Sequence, residues 1–490
     1  MGNGSGLDTE FSLGDETVER PSKTRRPNRF ERKTAKEWVT RPKSAERSGI
    51  LREVKRTFSF FNFLLNDSKA KEKSQTRTST LRIDVPLVLI ASTLVIFGLL
   101  MVYSASWKFS LADFSQPAST SGQQVFIGSP TKIFWRQAAY TGLGIGAVIF
   151  LLFFNYHHLI KLVLPLLGVA LGLLILVLFI HDERLGAVRS LLQGSIQPSE
   201  LAKLAIVLYL SVWLYNRREQ LHDLSIGLAP MGVILGVVAG LIVLQPDFSA
   251  VITVFLLGGM LFFLAGGDLK QIIFILVLGG IVGYLMVQSN IVPTARERVV
   301  NFWAGLKDPL QASDHVVYSM GAFVKGGLFG VGIGKADMKL TILPFPHTDS
   351  IFAVVGEETG FLGAAMLVLL FGLLMWRSLV IAKRAPDRLG ALLAGGLGFW
   401  IVLEALINMA VMVGLMPFAG NALPLISAGG SNRVVTLVAI GIILNVSRTS
   451  LVDQEEKERS INAVVDLRRR DWRRSVSRTR RPTASAKDSK

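Results

Sequence analysis

Ten apolar runs set the class of fold open to this chain. They lie at about residues 85–103, 138–154, 159–180, 201–214, 228–244, 250–264, 271–287, 351–376, 391–413 and 434–446. A helix needs roughly 20 apolar residues to cross the hydrocarbon core of a bilayer. Inside that core every backbone polar group must be bonded within its own segment, which leaves helices as the crossing elements for runs of this kind. Half of the 490 residues are hydrophobic and the mean hydropathy is +0.45, too apolar for a water-soluble chain of this size. The expected fold is an all-α polytopic membrane protein with ten transmembrane helices.

Charge supplies the orientation. The net charge is +17 and it gathers at the ends: residues 1–80 carry 18 Lys and Arg against 11 Asp and Glu, and residues 451–490 carry 12 against 7. Basic segments flanking membrane spans stay on the cytoplasmic side, facing anionic lipid. Both tails read as such anchors, not as nucleic-acid binders, and residues 1–54 as disordered. This gives three parts: a basic tail at 1–81, a membrane domain at 82–450 and a second basic tail at 451–490. Counting ten crossings from a cytoplasmic N-terminus places the basic loops at 216–222 and 377–388 inside, in agreement with their charge. It places 181–198, 288–348 and 415–432 outside, with the large outer loop between helices 7 and 8. The first apolar run begins near residue 85, too late for a cleavable signal. There is no cysteine, which excludes disulfides, thiolate catalysis and cysteine metal sites.

Ionisable residues at membrane depth are costly and therefore functional candidates. They concentrate at the outward ends. The stretch LPFPHTDSIFAVVGEE (343–358) places His347, Thr348 and Asp349 at the lip of an apolar run, with Glu357 and Glu358 two turns in. Asp349 reads either as a general base at a water–membrane boundary or as a cap for the helix that follows. QPSELAKLA (197–205) opens another run, with Lys203 one turn beyond Glu200. The outer loop holds Arg296, Arg298, Lys325 and Lys339 around the glycine run GGLFGVGIGK (326–335), which lacks the pattern of a phosphate-binding P-loop and reads as close, re-entrant packing. Residues 415–432, with prolines and glycines, resemble broken-helix backbone lining a cavity.

Five elements in order, QPSELAKLA (197–205), QPDFSA (245–250), GGLFGVGIGK (326–335), LPFPHTDSIFAVVGEETGFLG (343–363) and ALPLISAGGS (422–431), resemble the SEDS family of bacterial cell-wall synthases, named for shape, elongation, division and sporulation. The resemblance covers about residues 82–450. YNRRE (215–219) and IAKRAPDRLG (381–390) lean toward its division branch over its elongation branch. The chain departs from the family pattern at Phe345, Ser350 and Ala428, at Asp314-His315, and around Arg189. The resemblance implies ten helices in the bacterial cytoplasmic membrane and a peptidoglycan glycosyltransferase acting on lipid II, a disaccharide-pentapeptide carried on undecaprenyl pyrophosphate. It implies a class B penicillin-binding protein (a transpeptidase) as partner within the division or elongation machinery, and Asp349 as the catalytic residue.

The chemistry suits these residues. A sugar hydroxyl attacking an anomeric carbon needs a base to take its proton. Displacement in one step inverts that carbon and puts the base on the face opposite the leaving group. A departing pyrophosphate needs positive charge, for which Arg189, Lys203, Arg296, Arg298, Lys325 and Lys339 are candidates. Gln197, Ser199, Glu200, His347, Thr348, Ser427 and Ser431 complete the expected substrate-binding set. A divalent cation, magnesium or manganese, is an alternative source of charge, with Asp247 or Glu357 at hand, although no stretch has metal-ligand spacing. Two rival readings stay open: a lipid II flippase, which would carry its polar sites near the midplane, and a non-catalytic scaffold for a transpeptidase.

Overall fold

The computed structural model describes residues 83–112, 131–179, 196–217, 221, 228–288, 293–341 and 343–452. Both basic tails, Arg189 and most of the 181–198 segment lie outside these residues. Among the described residues the regular elements are helical. They are α1 (Val85–Ala112), α2 (Lys132–Phe153), α3 (Leu159–Phe179), α4 (Pro198–Asn216), α5 (Ala229–Val243), α6 (Phe248–Leu264), α7 (Leu269–Gln288), α8 (Pro293–Lys307), α9 (Asp314–Gly326), α10 (Ile351–Arg384), α11 (Arg388–Met412) and α12 (Gly430–Val452).

Six of these helices, α1, α2, α3 (with the short turn before it), α10, α11 and α12, are long and apolar enough to cross a membrane. The expectation of ten crossings is thus met in part by length and composition. Helices α5 and α6 and the first part of α7 are apolar but shorter, and α4 carries the buried charges Glu200 and Lys203 in its first turns.

Burial separates the centre of the bundle from its rim. The apolar stretches of α11 and α12 are 78% and 72% buried, against 17% for α2. Helix α11 packs against α10, α4 and α6, and α1 lies along α10. A helix buried on nearly every side, as α11 is, belongs in the centre, and its glycines at 395, 396 and 398 allow close approach. The rim helices bury one stripe each and turn Leu, Ile and Phe outward, as lipid-facing surfaces do.

Polar contacts fix the two ends. At the end where α1 begins, the Arg377 guanidinium donates to both Asp84 oxygens at 2.7–3.1 Å. Tyr156 and His157 meet Asp387 at 2.8 and 2.7 Å, and Asn445 holds the backbone between α2 and α3. The described site residues collect at the opposite end, where Gln137, Gln197, Lys339 and Ser427 meet partners from distant parts of the chain.

The 288–348 loop, expected on the outer side, is not a linker. It folds into α8, α9 and a one-turn helix at Met338–Thr341, and its glycine run docks on a break in α10. Gly360 has φ +69° and ψ −169°, a conformation open essentially to glycine alone. The break frees backbone groups that would otherwise be buried without partners. The glycine run satisfies them: Val331 and Gly332 donate to the Glu357 and Glu358 carbonyls at 3.0 Å, and Phe361 and Leu362 donate to those of Gly327 and Leu328 at 2.8 and 3.2 Å. A Cβ on Gly360 would fall 2.4 Å from the Gly330 nitrogen. Gly360→Ala is therefore expected to lower stability by about 1–3 kcal/mol or more, read as a fall in thermal midpoint. Gly372→Ala, lower on the same helix with open space around it, is expected to leave the midpoint unchanged or slightly raised.

Candidate active site

The segment between the one-turn helix and α10 is held by its carbonyls. The His347 carbonyl accepts from the Ala428 backbone N–H at 2.8 Å, that of Thr348 from the Ser427 hydroxyl at 2.6 Å, and that of Asp349 from the Asn408 amide at 2.9 Å. Consecutive residues are thus fixed by donors from the loop after α11 and from α11 itself. The segment turns on Phe345, at φ +45°, whose carbonyl accepts from the Thr348 N–H at 3.1 Å. The cap position of α10 is Ser350 and not Asp349. Asp349 is half-buried, one residue ahead of that cap.

A stacked set of rings lies alongside. The His315 ring, on α9, stacks on Phe418 at 4.1 Å and on Phe345 at 6.3 Å, and its Nδ1 lies 3.3 Å from the Ser350 hydroxyl. The Arg298 guanidinium covers the far side of the site 5.5 Å from the Phe418 ring centre, a cation–π arrangement. A shallow cleft opens beside it, lined by Arg298, Phe302, Ser313, Met320, Met416 and Phe418 among others. Burial pushes the His315 pKa down, with Asp314 opposing and Arg298 adding to the fall. Burial, with the Arg136 charge adding to it, takes His347 down to about 4.

The His347 shift makes a pH prediction. An imidazole with an unfolded value near 6.5 takes up its proton in the unfolded chain well before the folded one does. The unfolded state binds more protons between pH 6.5 and about 4, so stability falls as pH is lowered through that window. His347→Gln is expected to flatten that part of the acid limb when thermal midpoint is followed against pH, with little change above pH 7.

Several residues expected to meet substrate are instead matched inside the bundle. Lys203 donates to Glu200 at 2.8 Å and to Glu404 of α11, all three buried. Lys339 reaches into the bundle to Glu358 and to the Ser104 hydroxyl at 2.6 Å, tying the outer loop to α10 and α1. Glu357 accepts from the backbone N–H groups of Asp337 and Met338 at 2.9 and 3.3 Å, with Lys325 at 3.5 Å. Lys325 is an exposed partner of Asp337 at 2.7 Å, which raises its pKa and lowers that of Asp337. Ser431 accepts from the Gln197 backbone N–H at 2.9 Å. Arg296 is exposed on α8.

Metal binding finds no support in the donor sets. The Asp247 carboxylate accepts from Gln197 and Ser199 at 3.0 and 3.1 Å and from Ser249 and the Ala250 N–H at 2.9 and 3.3 Å. Among the described residues no three His, Asp or Glu side chains gather as a metal would require.

Asn408, Glu404, Arg136, Gln137 and Phe418 are site residues that sequence reasoning did not single out. Glu404 and Asn408 carried a usable signal, being polar side chains within an apolar run. Phe418 carried none, since a phenylalanine in a loop says nothing of the ring it will stack on.

A family model described as cell cycle protein, covering FtsW, RodA and SpoVE, matches residues 85–451. The chain belongs to the FtsW/RodA/SpoVE family. It is 35% identical over 372 residues to the probable peptidoglycan glycosyltransferase FtsW of Trichlorobacter lovleyi, covering 74% of this chain and 93% of that protein. It is 33% identical over 377 residues to the stage V sporulation protein E of Bacillus subtilis, covering 75% and 97%. Among solved structures it resembles the rod shape determining protein RodA of Thermus thermophilus, with TM-score 0.53, 27% identity, and 75% and 97% coverage. It also resembles a chain from a structure of a peptidoglycan synthase complex that coordinates polymerization and crosslinking, with TM-score 0.59, 29% identity, and 75% and 98% coverage. The match spans the FtsW/RodA/SpoVE domain from α1 to the end of α12, so the pinned segment and its donors all fall within it.

Proposed function

We propose that this chain is a peptidoglycan glycosyltransferase that polymerises lipid II at the outer face of the bacterial cytoplasmic membrane, in cell division. Ten helices would cross the membrane with both tails inside, and a class B penicillin-binding protein would be the partner. Relatives named as FtsW glycosyltransferases and the likeness to a peptidoglycan synthase complex support the activity. The observation that carries the site assignment is the pinned backbone of residues 347–349, which holds one carboxylate at the mouth of the bundle beside a basic, aromatic-lined cleft.

In the reaction the 4-hydroxyl of one sugar attacks the anomeric carbon of another. A glycosidic C–O bond forms, the bond to the pyrophosphate oxygen breaks with its electron pair, and the hydroxyl proton passes to Asp349. The base lies opposite the leaving group and the carbon inverts. Arg296 and Arg298 on α8 and Arg136 beside His347 are placed to offset charge on the departing pyrophosphate. Arg suits this role through its planar set of donors. His347 and Thr348 orient Asp349, Ser427 and Ser431 act on substrate through the backbone they hold, and Gln197 and Ser199 act through the Asp247 carboxylate to which they donate. The residues of the candidate site gather at one end of the bundle, which favours surface chemistry over transport. The test is conversion of purified lipid II into glycan strands by the full chain with its transpeptidase in detergent or nanodiscs. Intact lipid II after incubation with folded wild-type protein and partner would overturn the reading.

A further inference from the structure

Among the described residues one buried cation meets no carboxylate. Arg433, in the first turn of α12, is fully buried. Its guanidinium reaches only the Thr141 hydroxyl at 3.4 Å and the Ile426 carbonyl at 3.3 Å, and its Nε has no acceptor. The other fully buried basic side chains among those described, Lys203 and Lys339, both meet carboxylates. One turn further along the same face of α12, the buried Thr436 hydroxyl is also without a partner. The start of a helix already carries partial positive charge, so nothing local favours an arginine there. A buried unpaired charge is strongly destabilising. The arrangement suits a negative group that arrives from outside.

The cover over Arg433 is thin. Helix α2 has the least buried apolar stretch of the six long helices, and its buried residues form a single stripe of Gln137, Thr141 and Gly144. That stripe lies on Arg433, on Leu437 (which a Cβ at Gly144 would touch at 2.3 Å) and on the 427–429 turn. Parting this seam would expose the guanidinium to the bilayer edge at the outer end of the bundle. The same turn holds the Thr348 carbonyl beside Asp349. An anion coming from that direction is carried on a lipid.

We propose that Arg433, with Thr436 and the N-terminus of α12, forms a buried site for a lipid-borne phosphate that enters sideways between α2 and α12. If the glycosyltransferase reading holds, the natural occupant is the pyrophosphate of the polyprenyl carrier. The same chemistry would accept the phosphate of an anionic phospholipid.

The test uses the full chain in nanodiscs and reads binding of undecaprenyl pyrophosphate, with phosphatidylglycerol and inorganic pyrophosphate as competitors. Arg433→Met should weaken binding of the lipid pyrophosphate by about tenfold to a hundredfold, as loss of charged hydrogen bonds does, while the ligand-free thermal midpoint stays level or rises. Competition by phosphatidylglycerol would identify a general lipid-phosphate site, and its absence a pyrophosphate site. Unchanged affinity in Arg433→Met, or a lowered ligand-free midpoint with binding retained, would make the guanidinium a packing element and overturn the proposal. The cysteine-free chain offers a second arm. Gly144→Cys with Leu437→Cys, whose Cβ atoms would start 3.0 Å apart and need the helices to part by only about 0.5 Å to reach disulfide spacing, should block lipid loading when oxidised and restore it on reduction. Equal loading in both states would exclude entry through this seam. Should wild type bind the lipid through Arg433 yet polymerise nothing, the glycosyltransferase reading falls and the site stands.

Discussion

Asp349→Asn should convert lipid II into glycan strands about 10²–10⁴ times more slowly than wild type, the range for removing a general base. The substitution is nearly isosteric, and the backbone of residue 349 is held through its own carbonyl by Asn408. The segment should therefore keep its place, and the loss should be chemical. Thermal midpoint and binding of lipid II should stay close to wild type while turnover collapses. Asp349→Glu moves the carboxylate by one methylene and should recover only part of the rate. Strand formation by Asp349→Asn at the wild-type rate, with partner present and equal protein, would remove Asp349 from the base role. Glu357 is a poor substitute, since it is buried and accepts backbone donors from the one-turn helix. Glu358 is bound to Lys339.

The class of fold was legible because hydrophobic length is a local property: each apolar run can be recognised without knowing its neighbours. Position within the bundle was not local. Residues 391–413 read as one apolar run among ten, with Glu404 and Asn408 as the one hint, and the central place of α11 shows only in its contacts with α4, α6 and α10. The break at Gly360 was hidden for the same reason. A glycine in an apolar run is ordinary, and only the docking of the glycine run 326–335 makes the kink tolerable. At the site, the segment 347–349 stood out because polar residues at the lip of a span are conspicuous. Its donors did not, since Asn408, Ser427 and Ala428 are 59 or more residues away in sequence. Lys203 and Lys339 show a different limit. Glu200 was in view one turn from Lys203, but Glu404 and Glu358, which meet Lys203 and Lys339 inside the bundle, lie on other helices.

Lys203→Met should be the most destabilising of these changes, by about 3–5 kcal/mol, the cost of breaking a buried ion pair by removing one partner. The Lys203 ammonium lies between Glu200 of α4 and Glu404 of α11, all nearly free of solvent, and one oxygen of each carboxylate already lacks a partner. Removing the cation would leave two acidic groups facing each other in the interior. Helices α4 and α11 would then be pushed apart where Asn421 and Asn408 organise the loop that holds residue 349. The effect should appear as a lower thermal midpoint and reduced folded yield, with activity lost in proportion to folded protein. Glu404→Gln should act differently. It leaves Lys203 paired with Glu200 and removes one negative charge from a cluster with two acids and one base, so its midpoint should stay near wild type or rise. Combining Lys203→Met with Glu404→Gln should recover part of what Lys203→Met alone loses. A Lys203→Met protein as stable as wild type, or a double variant no better than the single one, would mean that packing and not charge sets the cost at this junction.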